Sequence, residues 1–179
     1  MGRRSWLLSL SAGLCATRSA RSAAGPAWRQ PLSVRTVEGK LLDVPKQGGK
    51  GVLVGFMTTT CPSRKLASAG IAKLHQEFEK DGVLPVVIGI DPQAAAVLPV
   101  CRNLYGLKCP AGLVPREDVL RFLEHPADRP LMVPTLVLLG RRGRIVKKQV
   151  GWTGEEELRS AINVALKQKP QNPQGSRRG

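Results

Sequence analysis

The chain has 179 residues and a formal net charge of +15, and hydrophobic residues make up 42% of it. This composition is sufficient for one domain with a hydrophobic core and argues against a wholly disordered chain. No apolar run reaches the roughly 18 residues of a membrane-spanning helix. The four cysteines are too few for a disulfide-dense miniprotein, and aromatic residues, at 4%, are too few for a platform on which nucleic-acid bases stack.

The first 24 residues have the composition of a targeting segment. Arg3 and Arg4 precede an apolar stretch, Trp6 to Ala16, and the small residues Ser22-Ala23-Ala24 follow. This order of positive, apolar and small residues is typical of a secretory signal that is removed before Gly25. We therefore expect an exported protein, in the periplasm or cell envelope, because the apolar block is compact rather than amphipathic. A mitochondrial transit peptide is the alternative, since the segment is rich in Arg and Ser and lacks acidic residues.

The hydrophobic pattern of residues 25–168 alternates between strands and helices. In chain order it predicts a hairpin around 41–44, a buried strand over 52–57, a helix from about 62 to 80, a second buried strand over 83–90 and a partly helical segment over 93–104 that Pro99 should break or restart. It then predicts a helix over 115–125 with Pro115 at its first position, strands over 134–139 and 144–150, and a last helix that opens with a capping box, Thr153-Gly154-Glu155-Glu156.

This order of elements predicts an α/β fold, with a central mixed sheet and helices on both of its faces. A basic disordered tail is expected over residues 169–179, which contain Pro170 and Pro173 and show no apolar periodicity. The predicted final hairpin is also basic and should be a charged edge strand that resists pairing with other chains. Tail and hairpin could touch an anionic surface weakly, but we expect no specific nucleic-acid partner. The basic residues of the hairpin are Arg141, Arg142, Arg144, Lys147 and Lys148.

The chemistry is expected where the first long strand meets the first long helix, at Cys61. A cysteine at the N-terminus of a helix faces unsatisfied backbone N–H groups and the positive end of the helix dipole, which favour the reactive thiolate. Arg64, one turn later, would add positive charge. The alternative is a buried, inert cysteine. We expect no cofactor and no metal site, because the cysteine spacing fits no standard zinc motif.

Three segments in this order resemble the thioredoxin superfamily, and in particular its TlpA-like exported thiol–disulfide oxidoreductases, which border on peroxiredoxin-type domains. They are Phe56-Met57-Thr58-Thr59-Thr60-Cys61-Pro62, Val86-Val87-Ile88-Gly89-Ile90, and Val133-Pro134-Thr135 with the strand and the Gly143-Arg144-Ile145-Val146 that follow. The resemblance covers residues 31–168 and implies a thioredoxin fold. It also implies a cis Pro134 beside Cys61, a backbone at Val133 that pairs with a bound peptide, and a substrate groove made of Thr60, Pro62, Val133 and Pro134.

The chain departs from the redox motif of this family, C-x-x-C, in which the second cysteine resolves the mixed disulfide formed by the first. Here the second position is Arg64, which cannot act as a thiol nucleophile. The family often has a carboxylate six residues before the first cysteine, and that position is Gly55. Ordinary dithiol turnover is therefore not expected. Cys101 and Cys109 could be two small core residues or a structural disulfide formed after export.

Three functional hypotheses follow from these residues. In the first, Cys61 forms a mixed disulfide with a protein or small-molecule thiol, and an external thiol resolves it. The second hypothesis is a binding module that keeps the groove beside Pro134 without redox chemistry. The third is a thiol peroxidase, because Thr58-x-x-Cys61-Pro62 matches part of the peroxiredoxin signature, although Val54 replaces the proline of that signature.

Overall fold

The computed structural model describes residues 31–47 and 50–167. The expected signal or transit peptide, its cleavage point before Gly25 and the expected tail over 169–179 lie outside these residues. The strands are β1 (Ser33–Thr36), β2 (Leu41–Asp43), β3 (Gly51–Met57), β4 (Val83–Gly89), β5 (Ala111–Leu113), β6 (Thr135–Leu139) and β7 (Ile145–Val150). The helices are α1 (Arg64–Phe78), α2 (Ala94–Leu104), α3 (Arg116–Leu123) and α4 (Glu156–Lys167), and Val44–Lys46 forms a 3-10 turn.

All seven strands form one mixed sheet in the order β2-β1-β5-β4-β3-β6-β7. The predicted α/β class is therefore confirmed, and the apolar strands predicted over 52–57, 83–90 and 134–139 lie in one sheet. Strand β3 lies in the interior of the sheet, parallel to β4 and antiparallel to β6. Each residue of β3 is buried, because helices cover both faces of the sheet.

The side chains of β3 alternate between two cores, as a period of two residues requires. Leu53 and Met57 face the core under α1, α2 and α4, whereas Val52, Val54 and Phe56 face the core under α3. In the second core the rings of Phe56 and Phe122 lie 5.9 Å apart in a tilted arrangement. This two-sided burial explains the uninterrupted apolar run in the sequence.

The observed elements differ from the predicted ones at two prolines and at one strand. Helix α2 continues through Pro99, contrary to the predicted break. Pro99 and Ala95 are both exposed, so water can reach the carbonyl that loses its helical donor. Pro115 precedes α3 instead of being its first residue. The short strand β5 was not predicted, because Pro110 and Gly112 read as loop residues.

The predicted capping box before α4 does not form. The helix begins at Glu156, so Thr153 lies too far upstream to be its N-cap. The Thr153 hydroxyl instead accepts a hydrogen bond from Gln149 Nε2 at 2.9 Å and donates one to Glu157 Oε2 at 3.2 Å. Thr153 thus links the end of β7 to the first turn of α4.

Helix α1 and the segment after β7 meet at a very close contact. A Cβ atom at Gly70 would lie 2.0 Å from the Trp152 ring, which packs on the core. Ion pairs flank this contact, from Lys73 to Glu155 at 3.5 Å and from Arg159 to Glu77 at 2.9 Å. Only glycine at position 70 therefore lets the indole ring occupy its place.

We expect Gly70→Ala to destabilise the protein by about 1–3 kcal/mol, because the new methyl group overpacks the contact with Trp152. Chemical denaturation should show this loss in the free energy of unfolding. Gln76→Ala, an exposed change on the same helix, is the control and should be nearly neutral. Adding Trp152→Leu to the Gly70→Ala variant should recover part of the loss, and equal stability of Gly70→Ala and Gln76→Ala would contradict the prediction.

Candidate active site

Cys61 lies in a turn at the carboxyl end of β3, directly before α1. Its N–H donates to the Thr58 carbonyl at 3.3 Å, and its own carbonyl accepts the Arg64 N–H at 3.2 Å. The first hydrogen bond of the helix follows, from the Ala67 N–H to the Ser63 carbonyl at 3.0 Å. Cys61 was expected at the N-terminus of a helix beginning near Pro62, and it lies three residues before the first helical residue, with 7% of its surface exposed.

A carboxylate of the neighbouring strand holds the loop that leads to Cys61. Asp91 follows β4, and its Oδ1 accepts the Thr59 N–H at 3.0 Å while its Oδ2 accepts the Thr59 hydroxyl at 2.5 Å. The Ile90 N–H also donates to the Met57 carbonyl at 3.1 Å. The sequence pattern alone did not identify Asp91 as part of the site. The parallel arrangement of β3 and β4, which brings their carboxyl ends together, is the signal that could have identified it.

Arg64 occupies the position of the missing second cysteine and has a structural contact in the same loop. Its Nη1 donates a hydrogen bond to the Thr59 carbonyl, so the guanidinium braces the segment before Cys61. Its Nε is buried and has no hydrogen-bond partner within the described residues. The hydrogen bond of the Arg64 guanidinium is to Thr59, and the expectation that its charge acts on the Cys61 sulfur stays a prediction.

A small apolar cavity lies behind this loop, between the start of α1 and α2. Its volume of about 20 Å³ is room for one water molecule. Its lining includes Met57, Ser68 and Leu98, and the side chains of Arg64 and Cys101 also reach it. The interior next to the loop is therefore largely filled, and no space for a sizeable ligand is present there.

The Val133–Pro134 peptide bond is cis, as the family resemblance implied. The Pro134 carbonyl accepts the Gly151 N–H at 2.7 Å, and the buried Thr135 hydroxyl donates to the Met132 carbonyl at 2.6 Å. Thr135 pairs with Phe56 of β3, so the Pro134 loop lies at the same end of the sheet as Cys61.

The four predicted groove residues therefore lie on two loops at one end of the sheet. Thr60 and Pro62 are exposed on the first loop, whereas Val133 is half-buried and Pro134 is buried on the second. The large side chains of Leu66 and Met132, exposed by 64% and 62%, add apolar surface near these loops. The arrangement suits the binding of a chain segment across the end of the sheet.

The other two cysteines of the described region are buried and are not joined by a disulfide. Cys101 lies on α2, and Cys109 lies between α2 and β5. Burial raises the pKa of Cys109 to about 11, and the nearby charge of Arg102 opposes the shift only in part. Cys61, Cys101 and Cys109 are all free thiols, so the structure does not contain the disulfide considered for the last two.

The position of the family's carboxylate, Gly55, is closed by packing. A Cβ atom there would lie 2.9 Å from Ile71 Cδ1 and 3.1 Å from Met57 Cε. A longer acidic side chain would have to displace both neighbours. The ends of two flexible side chains therefore occupy the place from which a carboxylate would serve a second thiol.

Residues 31–47 and 50–167 contain neither a membrane-spanning helix nor a cluster of metal-binding side chains. No helix there is long and apolar enough to cross a membrane. No group of three or more His, Cys, Asp or Glu side chains there is arranged to hold a metal ion.

The chain is similar in sequence to bacterial thiol–disulfide oxidoreductases. It is 29% identical over 129 residues to the thiol-disulfide oxidoreductase ResA of Halalkalibacterium halodurans. The aligned region covers 72% of this chain and 69% of the relative. It is 25% identical over 126 residues to ResA of Bacillus subtilis, covering 70% of this chain and 67% of the relative. No protein-family model matches the chain.

Solved structures share the fold. A thiol:disulfide interchange protein of the thioredoxin family from Chlorobium tepidum superposes with a TM-score of 0.66 at 20% identity, covering 76% of this chain and 94% of the other. StoA from Bacillus subtilis superposes with a TM-score of 0.60 at 22% identity, covering 76% and 99%. With the cis Pro134 loop set beside the turn of Cys61, these similarities show a thioredoxin-like fold and support the resemblance to TlpA-like thiol–disulfide oxidoreductases.

Proposed function

We propose that the protein is a thiol–disulfide oxidoreductase that works through a single active-site cysteine, Cys61. The observation that carries the proposal is the turn of Cys61, held by Asp91 through Thr59 at the sheet end that also bears the cis Pro134 loop. The similarity to proteins named thiol–disulfide oxidoreductases supports the same chemistry. Its substrates are protein or small-molecule thiols and disulfides.

The proposed reaction has two thiol–disulfide exchanges. The Cys61 thiolate attacks one sulfur of a substrate disulfide, a bond forms between Cys61 and that sulfur, and the other sulfur leaves as a thiolate. An external thiolate then attacks the substrate sulfur of the mixed disulfide. Cys61 leaves as a thiolate, and the substrate sulfur ends in a disulfide with the external thiol. The external thiol supplies the electrons that the missing second cysteine would otherwise provide.

The groove residues have separate tasks in this proposal. The backbone of Val133, turned outward before Pro134, pairs with the substrate chain beside Cys61. Thr60 and Pro62 form the opposite side of the groove, and Arg64 holds the loop by its hydrogen bond to Thr59. Arg64 is thus a positioning residue that also stands where a resolving thiol would stand.

A second candidate function is a binding module that does no redox chemistry. The observations that favour it are the 7% exposure of Cys61 and the closed packing at Gly55. Such a module would use the same groove to hold a chain segment. The two candidates differ in whether Cys61 reacts.

Alkylation at neutral pH should modify Cys61 before the other two cysteines. The raised pKa of Cys109, about 11 against an ordinary 9.0, means a thiolate population roughly a hundredfold smaller at neutral pH. Cys101 is as little exposed as Cys61, at 7%, but it lies inside α2, whereas Cys61 precedes the N-terminus of α1, where the helix dipole favours the thiolate. Mass spectrometry after brief treatment of the folded protein with iodoacetamide would give the order, and modification of Cys61 no faster than Cys109 would favour the inert binding module.

Cys61→Ser should abolish the reduction of insulin disulfides with glutathione as the external thiol, because it removes the attacking sulfur. Cys101→Ser and Cys109→Ser should leave the rate nearly unchanged, since neither thiol takes part. The rates can be followed by the turbidity of the reduced insulin chains. A wild-type rate no greater than that of Cys61→Ser would exclude the oxidoreductase.

Arg64→Cys should create a dithiol site whose oxidised form holds a disulfide between positions 61 and 64, because the change supplies the missing resolving thiol. Titration of free thiols before and after oxidation measures this bond. Arg64→Ser is the matched control, because it also loses the hydrogen bond to Thr59 but adds no thiol. If oxidised Arg64→Cys keeps as many free thiols as the reduced protein, the loop does not support dithiol chemistry.

We also propose that the protein acts after export, in the periplasm or cell envelope, with a mitochondrial location as the alternative. The order of positive, apolar and small residues in the first 24 residues supports export. N-terminal sequencing of protein from a cell envelope fraction should begin near Gly25. An intact Met1 would contradict the proposal, and recovery of the processed chain from mitochondria would select the alternative.

A further inference from the structure

The end of the sheet opposite to Cys61 gathers three connecting segments. The Gly51 N–H donates to the Gly82 carbonyl at 3.1 Å, which joins the starts of β3 and β4. Arg141 Nη2 in the β6–β7 turn donates to the Asp81 carbonyl at 3.4 Å. A Cβ atom at Gly143 of the same turn would lie 2.3 Å from the Pro45 carbonyl oxygen. The segments 44–47, 79–82 and 140–144 therefore form one surface.

This surface, together with Lys50 and the end of α4, is rich in cations, and we call it the basic pole. Helix α4 runs in the direction of α1, as the pairs Lys73–Glu155 and Arg159–Glu77 show, so α4 ends at this pole. The carboxylates at the pole are fewer than the cations, and one of them, Asp43, is paired with Lys46 at 2.6 Å. The cations are Lys46, Lys50, Lys80, Arg141, Arg142, Arg144 and Lys167, and the carboxylates are Asp43, Glu79 and Asp81.

The first described residues contact the segment that leads from β2 into this surface. The Leu32 carbonyl accepts the Val44 N–H at 2.9 Å, and Ser33 pairs with Asp43.

We propose that the basic pole docks on an anionic membrane surface and leaves the Cys61 end of the sheet facing away from the bilayer. Clustered Lys and Arg side chains are attracted to anionic lipid headgroups. Ile145, exposed by 40% next to Arg144, adds an apolar side chain at the rim. The three connecting segments hold no aromatic residue and no α-helix, so they lack the means by which proteins read or stack nucleic-acid bases. This inference does not depend on redox activity at Cys61.

The test is the binding of the full chain to sedimented vesicles of phosphatidylglycerol and phosphatidylcholine. A triple variant, Lys50→Gln, Lys80→Gln and Arg144→Gln, should bind about a hundredfold more weakly, because each cation near an anionic surface contributes about fivefold. Residues 1–30 are the same in both proteins, so their contribution cancels. Binding of the wild type should weaken at high salt, because ions screen the attraction.

The matched control is Lys40→Gln, Lys65→Gln and Lys108→Gln, which removes the same charge from exposed positions outside the basic pole. It should lose much less affinity than the first variant. Equal loss in the two variants would mean that net charge alone acts, and would overturn the proposal. Equal binding of the wild type to vesicles of phosphatidylcholine alone would overturn it as well, as would retention on duplex DNA without vesicle binding. Insulin reduction should be unchanged in both variants.

Discussion

The burial of β3 on both faces is the constraint on which the rest of the structure depends. Because each residue from Gly51 to Met57 is enclosed, the strand itself cannot carry polar side chains without large desolvation costs. Polar chemistry can therefore occur only where the strand ends. The carboxyl end leads into the turn of Cys61, and the amino end opens at the basic pole. The two surfaces lie at opposite ends of the sheet for this reason.

In the proposed function, the site at the carboxyl end works with one thiol. The second cysteine has given way to Arg64, whose guanidinium holds the Thr59 carbonyl, and Asp91 holds the N–H and hydroxyl of the same residue. Thr59 is thus held from two sides, so the loop keeps a defined shape without a disulfide. At Gly55, the core occupies the space of the absent carboxylate. These features agree with one another, since each is consistent with the proposal of a single active-site thiol.

The sequence predicted the fold well wherever burial leaves a periodic or continuous apolar signal. The central strands and the α1 and α4 stripes are such signals, and the resemblance to a known family supplied the cis Pro134. Strand β5 was not predicted because glycine usually indicates a loop. Here Gly112 is needed because the Arg35 carbonyl of the neighbouring strand lies too close for any side chain. The role of Asp91 was missed because its partner, Thr59, is 32 residues away and meets it only across two parallel strands. The hydrogen bond from Arg64 to the Thr59 carbonyl was not predicted, because the sequence does not show whether a long side chain contacts the backbone or a neighbouring thiol.

The Trp152 ring lies between α1 and the segment that contacts the Pro134 loop. The ring is seated against Gly70 of α1, and the adjacent Gly151 holds the Pro134 carbonyl through its N–H. The indole is therefore a spacer between the helix that follows Cys61 and the loop that carries Pro134. In the proposed function, its size would help to set the width of the groove, and so the bulk of the chain segment that can lie across Cys61. Substrate selection by size would then reside in a residue that touches neither the substrate nor the reacting sulfur.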